Sequence, residues 1–365
     1  MRVLVCTVVH HTTDARVFRR EIGALLEAGI DVTSIAPWPE DDRGGDAHHR
    51  HLPVPRAVGR RRLPAWRAAR ARIAAEAVDA DLLLIHDPEL LVVVPWRELR
   101  RLHVPVVWDV HEDLAAALAV KAYLPALVRR LLVPVVYAVE HMAERRATLL
   151  LAETAYAARF RRSHGVVLNL PPVAASLPAG PRLRQAVYVG SITRARGLDA
   201  MLAMAPTLAA QGIALRLIGE APSAADRERI AATPGVRWEG AMPNAEALRE
   251  VAASMVGLAL LDDLPNYRHS MPTKILEYMA NGCAVVTTPL PLARDVVGED
   301  GVVLPSFEHV ADAAARAVIA LCADDDGREA MVRRAFTRVQ RDYNWSVAGA
   351  DFVAQLRAVA GQYRS

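Results

Sequence analysis

The sequence predicts an α/β protein made of two doubly wound domains in tandem, and three observations support that fold class. The chain has 365 residues, which is enough for two domains with separate cores. Short apolar runs typical of buried strands alternate with helical segments, which indicates parallel sheets covered by helices. The alternation stops at PPVAASLPAGPRL (171–183), a stretch with four prolines. We therefore predict a first domain at 1–172, a linker at 173–183 and a second domain at 184–344.

The first domain begins with a predicted βαβ unit. RVLVCTVV is an apolar strand, and ARVFRREIGALLEAG has helical spacing, with Asp14 as its N-cap and Gly29 as its stop. IDVTSIAP is the next strand, and a helical crossover between two strands implies that they are parallel. Further strands are predicted at 81–86, 104–111, 147–153 and 166–171.

The second domain repeats this pattern. Its predicted strands are 186–191, 213–219, 236–240, 256–261 and 283–288. Helices are predicted between them, from Leu198, near 224–232, from Asn244 and around Lys274. In open parallel sheets ligands bind outside the carboxyl ends of the strands, so two such domains facing each other would hold a ligand in their cleft.

Charge and composition exclude some classes of function. The formal net charge of +3 is too small to suggest a nucleic acid as the main partner. Cys6, Cys283 and Cys322 lie far apart without metal-ligand spacing and are predicted to be small buried side chains. The N-terminus lacks a signal-peptide pattern and the apolar run 131–139 is too short to span a bilayer, so we expect a cytoplasmic protein. The basic stretch Arg56–Arg72 is interpreted either as a solvated helix face or as a patch that contacts an anionic membrane surface.

Lys274 is unusual because only two of the 44 basic residues are lysines. It lies in a predicted helix with Ser270 as N-cap, Pro272 in the first turn and Gly282 at the end. A cation in a first turn is unfavourable beside the positive end of the helix dipole unless an anion joins it, so a phosphate site is predicted. Glu277, one turn later, suits ribose hydroxyls. The alternative is an i, i+3 surface salt bridge between Lys274 and Glu277.

A second anion site is predicted in YVGSITRARGLD (188–199). A strand, Gly190, a short loop with Arg194 and Arg196, a second glycine and then a helix have the form of a turn that cradles a phosphate. The turn is neither a GxGxxG motif nor a Walker loop. Together with the Lys274 site in the same domain, it predicts a diphosphate held from two sides.

The chain resembles the retaining glycosyltransferases of family 4, which have the GT-B fold, over nearly its full length. Gly190–Gly197 is similar to the family's GR-x4-KG turn, and Gly219–Pro222 resembles its GxGP loop. His269–Val286 is similar to its E-x7-E element, which ends in EAMA-x-G-x-PVV. The resemblance implies two facing Rossmann-like domains and a C-terminal helix, at about 345–365, that crosses back to the first domain.

The resemblance also implies which residues bind the donor. They are Gly190, Ser191, Arg196, Gly219, Glu220, Met242, His269, Ser270, Met271, Thr273, Lys274 and Glu277. Ser191, Arg196 and His269 stand where the family usually has Arg, Lys and the first Glu of the pair. Because that Glu generally contacts the donor sugar, the sugar is left open.

In the first domain the resemblance implies that His111 contacts the donor sugar. The acceptor side is assigned to His10, His11, Arg16 and Glu112. Judged by its sequence context alone, His111 is equally a polar residue at a strand end, paired with Asp109. The adjacent histidines could suggest a metal, but no third ligand follows at a useful spacing.

The function implied by the resemblance is sugar transfer from a nucleoside-diphosphate sugar to an acceptor hydroxyl, with retention and with catalytic roles for His111, Arg196 and Lys274. The cations and the helix N-terminus would stabilise the leaving diphosphate in place of a metal, so we expect no cofactor. The alternatives are a nucleotide-sugar 2-epimerase of the same fold and a non-catalytic subunit that binds a sugar nucleotide. The sequence leaves open the base (uridine or guanosine), the sugar and the acceptor, which could be a lipid-linked glycan, a polysaccharide or a small molecule.

Overall fold

The protein consists of two compact units, each built on one parallel sheet. A computed structural model describes residues 1–12, 14–39, 45, 47–111 and 126–364. One unit comprises Met1–Asn169 and Ser346–Ser365, and the other comprises Leu170–Trp345. Helices lie between most successive strands in both units, so the predicted doubly wound fold class is confirmed. Among the described residues, no helix combines the length and the apolarity needed to cross a bilayer.

The first unit contains a seven-stranded parallel sheet with the order β3-β2-β1-β4-β5-β6-β7. Its strands are β1 Arg2–Cys6, β2 Asp31–Ala36, β3 His49–Pro53, β4 Leu82–Ile85, β5 Val106–Val110, β6 Thr148–Leu151 and β7 Gly165–Val166. The central strands are buried along nearly their whole length because both faces of the sheet are covered. The strand order reverses between β1 and β4, which places the crevice of this unit outside their carboxyl ends.

The second unit contains a six-stranded parallel sheet with the order β10-β9-β8-β11-β12-β13. Its strands are β8 Leu183–Val189, β9 Ala214–Ile218, β10 Val236–Trp238, β11 Ser254–Ala259, β12 Ala284–Thr287 and β13 Val302–Val303. All five strands predicted for this domain are present. The order reverses between β8 and β11, so the switch point of this sheet lies between those two strands.

The described helices follow the strands in a regular series. In chain order they are α1 Ile22–Glu27, α2 Arg62–Glu76, α3 Trp96–Arg101, α4 Ala126–Glu144, α5 Leu198–Ala210, α6 Ala224–Ala232, α7 Asn244–Ala252, α8 Pro265–Arg268, α9 Thr273–Ala280, α10 Pro291–Val297, α11 Val310–Ala323, α12 Asp325–Asp342 and α13 Trp345–Arg364. A π-helical segment, Ala15–Glu21, runs directly into α1. The predicted N-cap is confirmed, because the Asp14 carboxylate accepts hydrogen bonds from the amides of Arg16 and Val17.

Two details of the predicted elements are wrong. Ser270 does not cap α9, hereafter the Lys274 helix, because the helix begins three residues later, at Thr273, with Pro272 in the N-cap position. No side chain caps this described helix end. The strand predicted at 166–171 reduces to β7, because the chain then leaves the edge of the sheet toward two prolines, which cannot donate ladder hydrogen bonds.

Candidate functional site

Tyr278 holds the Lys274 helix against the switch point of the second sheet. The tyrosine is fully buried, and its hydroxyl donates to the carbonyl oxygen of Leu258 (3.1 Å) and accepts from the amide of Val189 (3.1 Å). It therefore links the carboxyl-terminal ends of β11 and β8. A Cβ atom at Gly257 would lie 2.5 Å from the tyrosine ring, so a glycine is needed beneath it. This fit places Lys274, one turn earlier, at the edge where ligands bind.

A cavity of about 150 Å³ borders the start of this helix. Its lining includes five of the predicted site residues, namely Arg196, Ser270, Met271, Thr273 and Lys274. Tyr267, which the sequence analysis did not single out, also lines it. The cavity thus joins the two predicted halves of an anion site, the arginine turn and the Lys274 helix.

The ammonium group of Lys274 has an apolar and cationic environment. Its Nζ atom lies 4.0 Å from the centre of the Tyr188 ring, and a Cβ atom at Gly190 would approach it to 2.7 Å. Among the described residues, no ion pair between Lys274 and Glu277 is found, although the two side chains interact at longer range. The salt-bridge alternative is therefore not supported, and the cation remains available for a ligand.

Burial and the Arg196 charge lower the pKa of Lys274, and Glu277 opposes them only in part, so that the pKa is about 7. At neutral pH, Lys274 is therefore divided between its charged and neutral forms in the ligand-free protein. An anion in the cavity favours the charged form, because it supplies the missing opposite charge.

We expect the affinity for a nucleoside diphosphate to fall as the pH rises above about 7. Anion binding raises the pKa of Lys274, so above that pH the complex holds more protons than the free protein. Calorimetry at about pH 8 in buffers of different ionisation enthalpy measures this proton uptake. The ligand does not contribute to it, because its terminal phosphate, with a second pKa of about 6, is already deprotonated at that pH. Equal proton uptake by Lys274→Met and the wild type would contradict the assignment.

The other predicted donor residues do not line the cavity. Gly190 and Gly219 have φ of 131° and 141°, and a Cβ atom at Gly219 would lie 2.0 Å from the Gly190 carbonyl oxygen, so the ends of β8 and β9 approach closely. Glu277 is half-buried one turn beyond Lys274. Of the rest, Met242 is half-buried and the exposed residues are Ser191, Glu220 and His269.

In the first unit, charged side chains form a network at the carboxyl ends of β1 and β5. The buried Arg16 guanidinium donates to both oxygens of Asp109 (2.9 and 2.6 Å), and its Nε atom also lies 2.9 Å from Glu21. Asp109 in turn pairs with His111 Nδ1 at 3.0 Å. The Nε2 atoms of His111 and His10 are 2.9 Å apart, so the structure brings these two predicted residues together.

The network fixes the protonation of His111. Burial alone would raise the pKa of Asp109, but the Arg16 charge holds it well below its usual range. Burial likewise opposes the charged form of His111, but the hydrogen bond to Asp109 outweighs it and raises the pKa of His111 to about 9. His111 is therefore an imidazolium at neutral pH. It donates from Nε2 to His10, whose Nδ1 atom faces Asp14 at 3.3 Å.

One described group of side chains has the spacing of metal ligands. Atoms of Glu21, His86 and Asp109 lie within 4.8 Å of one another. The Arg16 guanidinium, however, pairs with both carboxylates, and His86 Nε2 lies 2.8 Å from Glu21. Because Arg16 already supplies the positive charge, the geometry favours a buried ion-pair network over a metal site.

The remaining first-unit predictions have different positions. His11 is exposed, and Glu112 lies outside the described residues. Arg16 is buried and orients Asp109, so its position favours a positioning role over acceptor contact. Asp87, which is not among the predicted residues, accepts from the Thr7 hydroxyl and from two backbone amides after β1. The stretch IHDPE at a strand end is a sequence signal for it.

Comparisons with known proteins agree with this description. Residues 184–324 match the family described as Glycosyl transferases group 1. No curated protein matches the chain. Sucrose-phosphate synthase from Thermosynechococcus elongatus has a TM-score of 0.73 at 18% identity over 99% of both chains. Anabaena Alr3699/HepE in complex with UDP-glucose has a TM-score of 0.67 at 15% sequence identity, and the match covers 98% of this chain and 100% of that chain. WaaG, a glycosyltransferase involved in lipopolysaccharide biosynthesis, has a TM-score of 0.65 at 16% sequence identity, and the match covers 96% of this chain and 98% of that chain.

At these low identities, likeness to solved structures establishes the fold alone, and the predicted GT-B fold with two Rossmann-like domains is confirmed. The family match adds the class of protein. Residues 184–324 of the second unit are similar to group 1 glycosyltransferases, and the predicted enzyme class, a glycosyltransferase, is confirmed at that level.

Proposed function

We propose that the protein transfers a sugar from a nucleoside-diphosphate sugar to an acceptor hydroxyl, with retention and without a divalent metal, as in glycosyltransferase family 4. The observation that carries this proposal is the cavity at the second switch point, where Arg196 and Lys274 meet an uncapped helix N-terminus. The UDP-glucose named for the Anabaena structure supports a nucleotide-sugar donor.

In this reaction the bond between the anomeric carbon and the diphosphate breaks, and negative charge grows on the leaving phosphate oxygen. Lys274 and Arg196 stabilise that charge, and the amides of the helix N-terminus add to the field. The acceptor hydroxyl forms the new bond at the anomeric carbon and transfers its proton to the leaving diphosphate oxygen. Within the first unit, Asp109, which Arg16 holds in its ionised form, keeps the ring of His111 oriented and charged.

The test is turnover with a panel of uridine and guanosine diphosphate sugars, each with and without candidate acceptors, followed by NMR of the product anomer. Sugar transfer with retained configuration supports the proposal. Conversion of the donor sugar in the absence of any acceptor indicates the epimerase instead. Donor binding without turnover under any condition indicates the non-catalytic subunit.

We expect activity to survive removal of divalent metals, because the cations that face the diphosphate are side chains. Initial rates with and without EDTA, measured on the same dialysed sample, provide the comparison. Complete loss in EDTA with recovery on adding magnesium or manganese would show that this part of the proposal is wrong.

We also propose that the Arg56–Arg72 stretch contacts anionic membranes. Val58 and Leu63 are 57% and 52% exposed beside Arg60 and Arg61, which combines an apolar contact with positive charge. The protein is expected to sediment with anionic vesicles at low salt and to dissociate at high salt, because surface charges are screened. Arg60→Gln with Arg61→Gln should weaken this binding. Equal sedimentation with neutral vesicles would refute the electrostatic contact.

A further inference from the structure

A groove on the second unit is lined by six residues, of which four are arginines. It has a volume of about 340 Å³, near the lower end of small-molecule sites, and shares no residue with the Lys274 cavity. The residues that line this arginine groove are Asp300, Arg333, Arg334, Thr337, Arg338 and Arg341. Five of them lie on α12, and Arg334, Arg338 and Arg341 follow at the i, i+4, i+7 spacing of one helix face.

A single carboxylate fixes two of these guanidinium groups. Asp300, whose side chain is only 10% exposed, accepts from Arg334 Nε at 3.0 Å and from Arg338 Nε at 2.8 Å. A Cβ atom at Gly298 would lie 2.9 Å from Arg338 Nη2, so the glycine permits this close approach. Within the described part of the chain, no hydrogen bond uses the Nη atoms of Arg334 or Arg338. Both groups are thus oriented while their terminal donors stay available.

The charge of the groove is not balanced locally. Its lining has four guanidinium groups and one carboxylate. Arg333 and Arg341 form ion pairs with exposed residues outside the lining, Glu329 and Asp342. Exposed ion pairs contribute little to stability, so an anionic ligand can compete with them. Four like charges in one groove repel one another, and an oxyanion with several negative charges relieves that repulsion while accepting the free donors.

We propose that the arginine groove is a second anion site, which binds a phosphate-bearing small molecule through the terminal nitrogens of Arg334, Arg338 and Arg341. The proposal does not rest on the glycosyl-transfer reaction, because the groove and the Lys274 cavity are separate. Thr337 lies exposed among these arginines, which makes it the position at which the charge of the groove can be changed without touching Asp300.

The experiment compares Thr337→Glu with its uncharged match, Thr337→Gln, in the full chain at constant ionic strength. Both substitutions replace a poor helix former by a good one on an exposed helix position, so both variants should fold. In the Lys274→Met background, where the diphosphate site of the other cavity is removed, calorimetric titration with inorganic pyrophosphate is expected to give the same affinity with Thr337→Gln as without it. It should be about tenfold or more weaker for Thr337→Glu, since the new carboxylate occupies the site and repels the ligand. Lys274→Met is expected to retain this binding.

Two results of the pyrophosphate titrations would overturn the proposal, and a third would come from vesicles. One is equal pyrophosphate binding by the two Thr337 variants, and the other is loss of all pyrophosphate binding in Lys274→Met. Vesicles of phosphatidylglycerol and of phosphatidylcholine test a lipid headgroup as the source of the phosphate. If Thr337→Glu weakens binding to the anionic vesicles but not to pyrophosphate, the small-molecule site is wrong. Arg341→Gln, which leaves Asp300 and its partners intact, should also weaken pyrophosphate binding.

Discussion

Lys274→Arg is expected to lower kcat/KM by roughly 10²–10³-fold, the effect of removing one donor to a developing oxyanion. The substitution keeps the charge, but the space is fitted to a compact ammonium. Nζ lies 4.0 Å from the Tyr188 ring, and a Cβ atom at Gly190 would lie 2.7 Å away. A planar guanidinium on a longer stem cannot occupy that position without displacing one of these neighbours. Steady-state rates with the preferred donor measure the loss.

Lys274→Ala separates binding from folding. We expect nucleoside diphosphate binding to weaken by roughly 1.5–3 kcal/mol, while the nucleoside without phosphates binds as before. Stability should not fall, because the lowered pKa shows that burial and the Arg196 charge disfavour the ammonium in the folded protein. Arg194→Lys is the matched control, since Arg194 lies in the neighbouring turn and pairs with Asp226 without lining the cavity. Full activity of Lys274→Arg, or destabilisation of Lys274→Ala with unchanged donor affinity, would contradict the assignment.

Arg16→Met is expected to destabilise the first unit by about 3–5 kcal/mol, the typical effect of removing one partner from a buried ion pair. The substitution leaves Asp109 and Glu21 buried without their shared cation. The pKa of Asp109 should then rise toward its usual value, and the pKa of His111 should change as well, because His111 depends on Asp109 for its raised pKa and Arg16 itself lowers it. NMR titration of the His111 ring measures that second effect, which simple loss of packing does not produce.

Arg19→Met is the control for this prediction. Arg19 lies in the same helical segment but is exposed, so its loss should change the free energy of unfolding by no more than about 0.5 kcal/mol. Because the protein has two units, hydrogen exchange resolved to the first unit is a better measure than one overall melting curve. Equal protection in the two variants would rule out a stabilising role for Arg16.

The fold could be predicted to the extent that its strands are covered on both faces. Fully buried strands such as β4 and β12 can be recognised in the sequence, because a strand that is covered on both faces has no polar side. The edge strand β3, HRHLP, could not be predicted in this way, since edge strands carry polar and charged side chains. The two-residue strand β13 is too short for any period to appear.

The site, too, could be predicted from the sequence only in part. Lys274 could be found because its type is rare in this chain and its position, at the start of a helix, has a known electrostatic consequence. Glu21 could not, because it meets His86 at a separation of 65 residues, and only the fold makes them neighbours. Tyr278 has the pattern of an ordinary core residue in an amphipathic helix, and its hydroxyl contacts with two strands depend on tertiary structure.

The fit between Gly257 and the Tyr278 ring has a consequence for protein engineering. The glycine belongs to β11 and the tyrosine to the Lys274 helix, so neither element can be transplanted into a related scaffold without the other. A graft of the helix alone would bring its ring against whatever side chain the host strand carries. The smallest segment that can be exchanged as a unit therefore runs from the start of β11 to the end of the Lys274 helix. Chimeras that exchange this site should have their junctions outside residues 254–280.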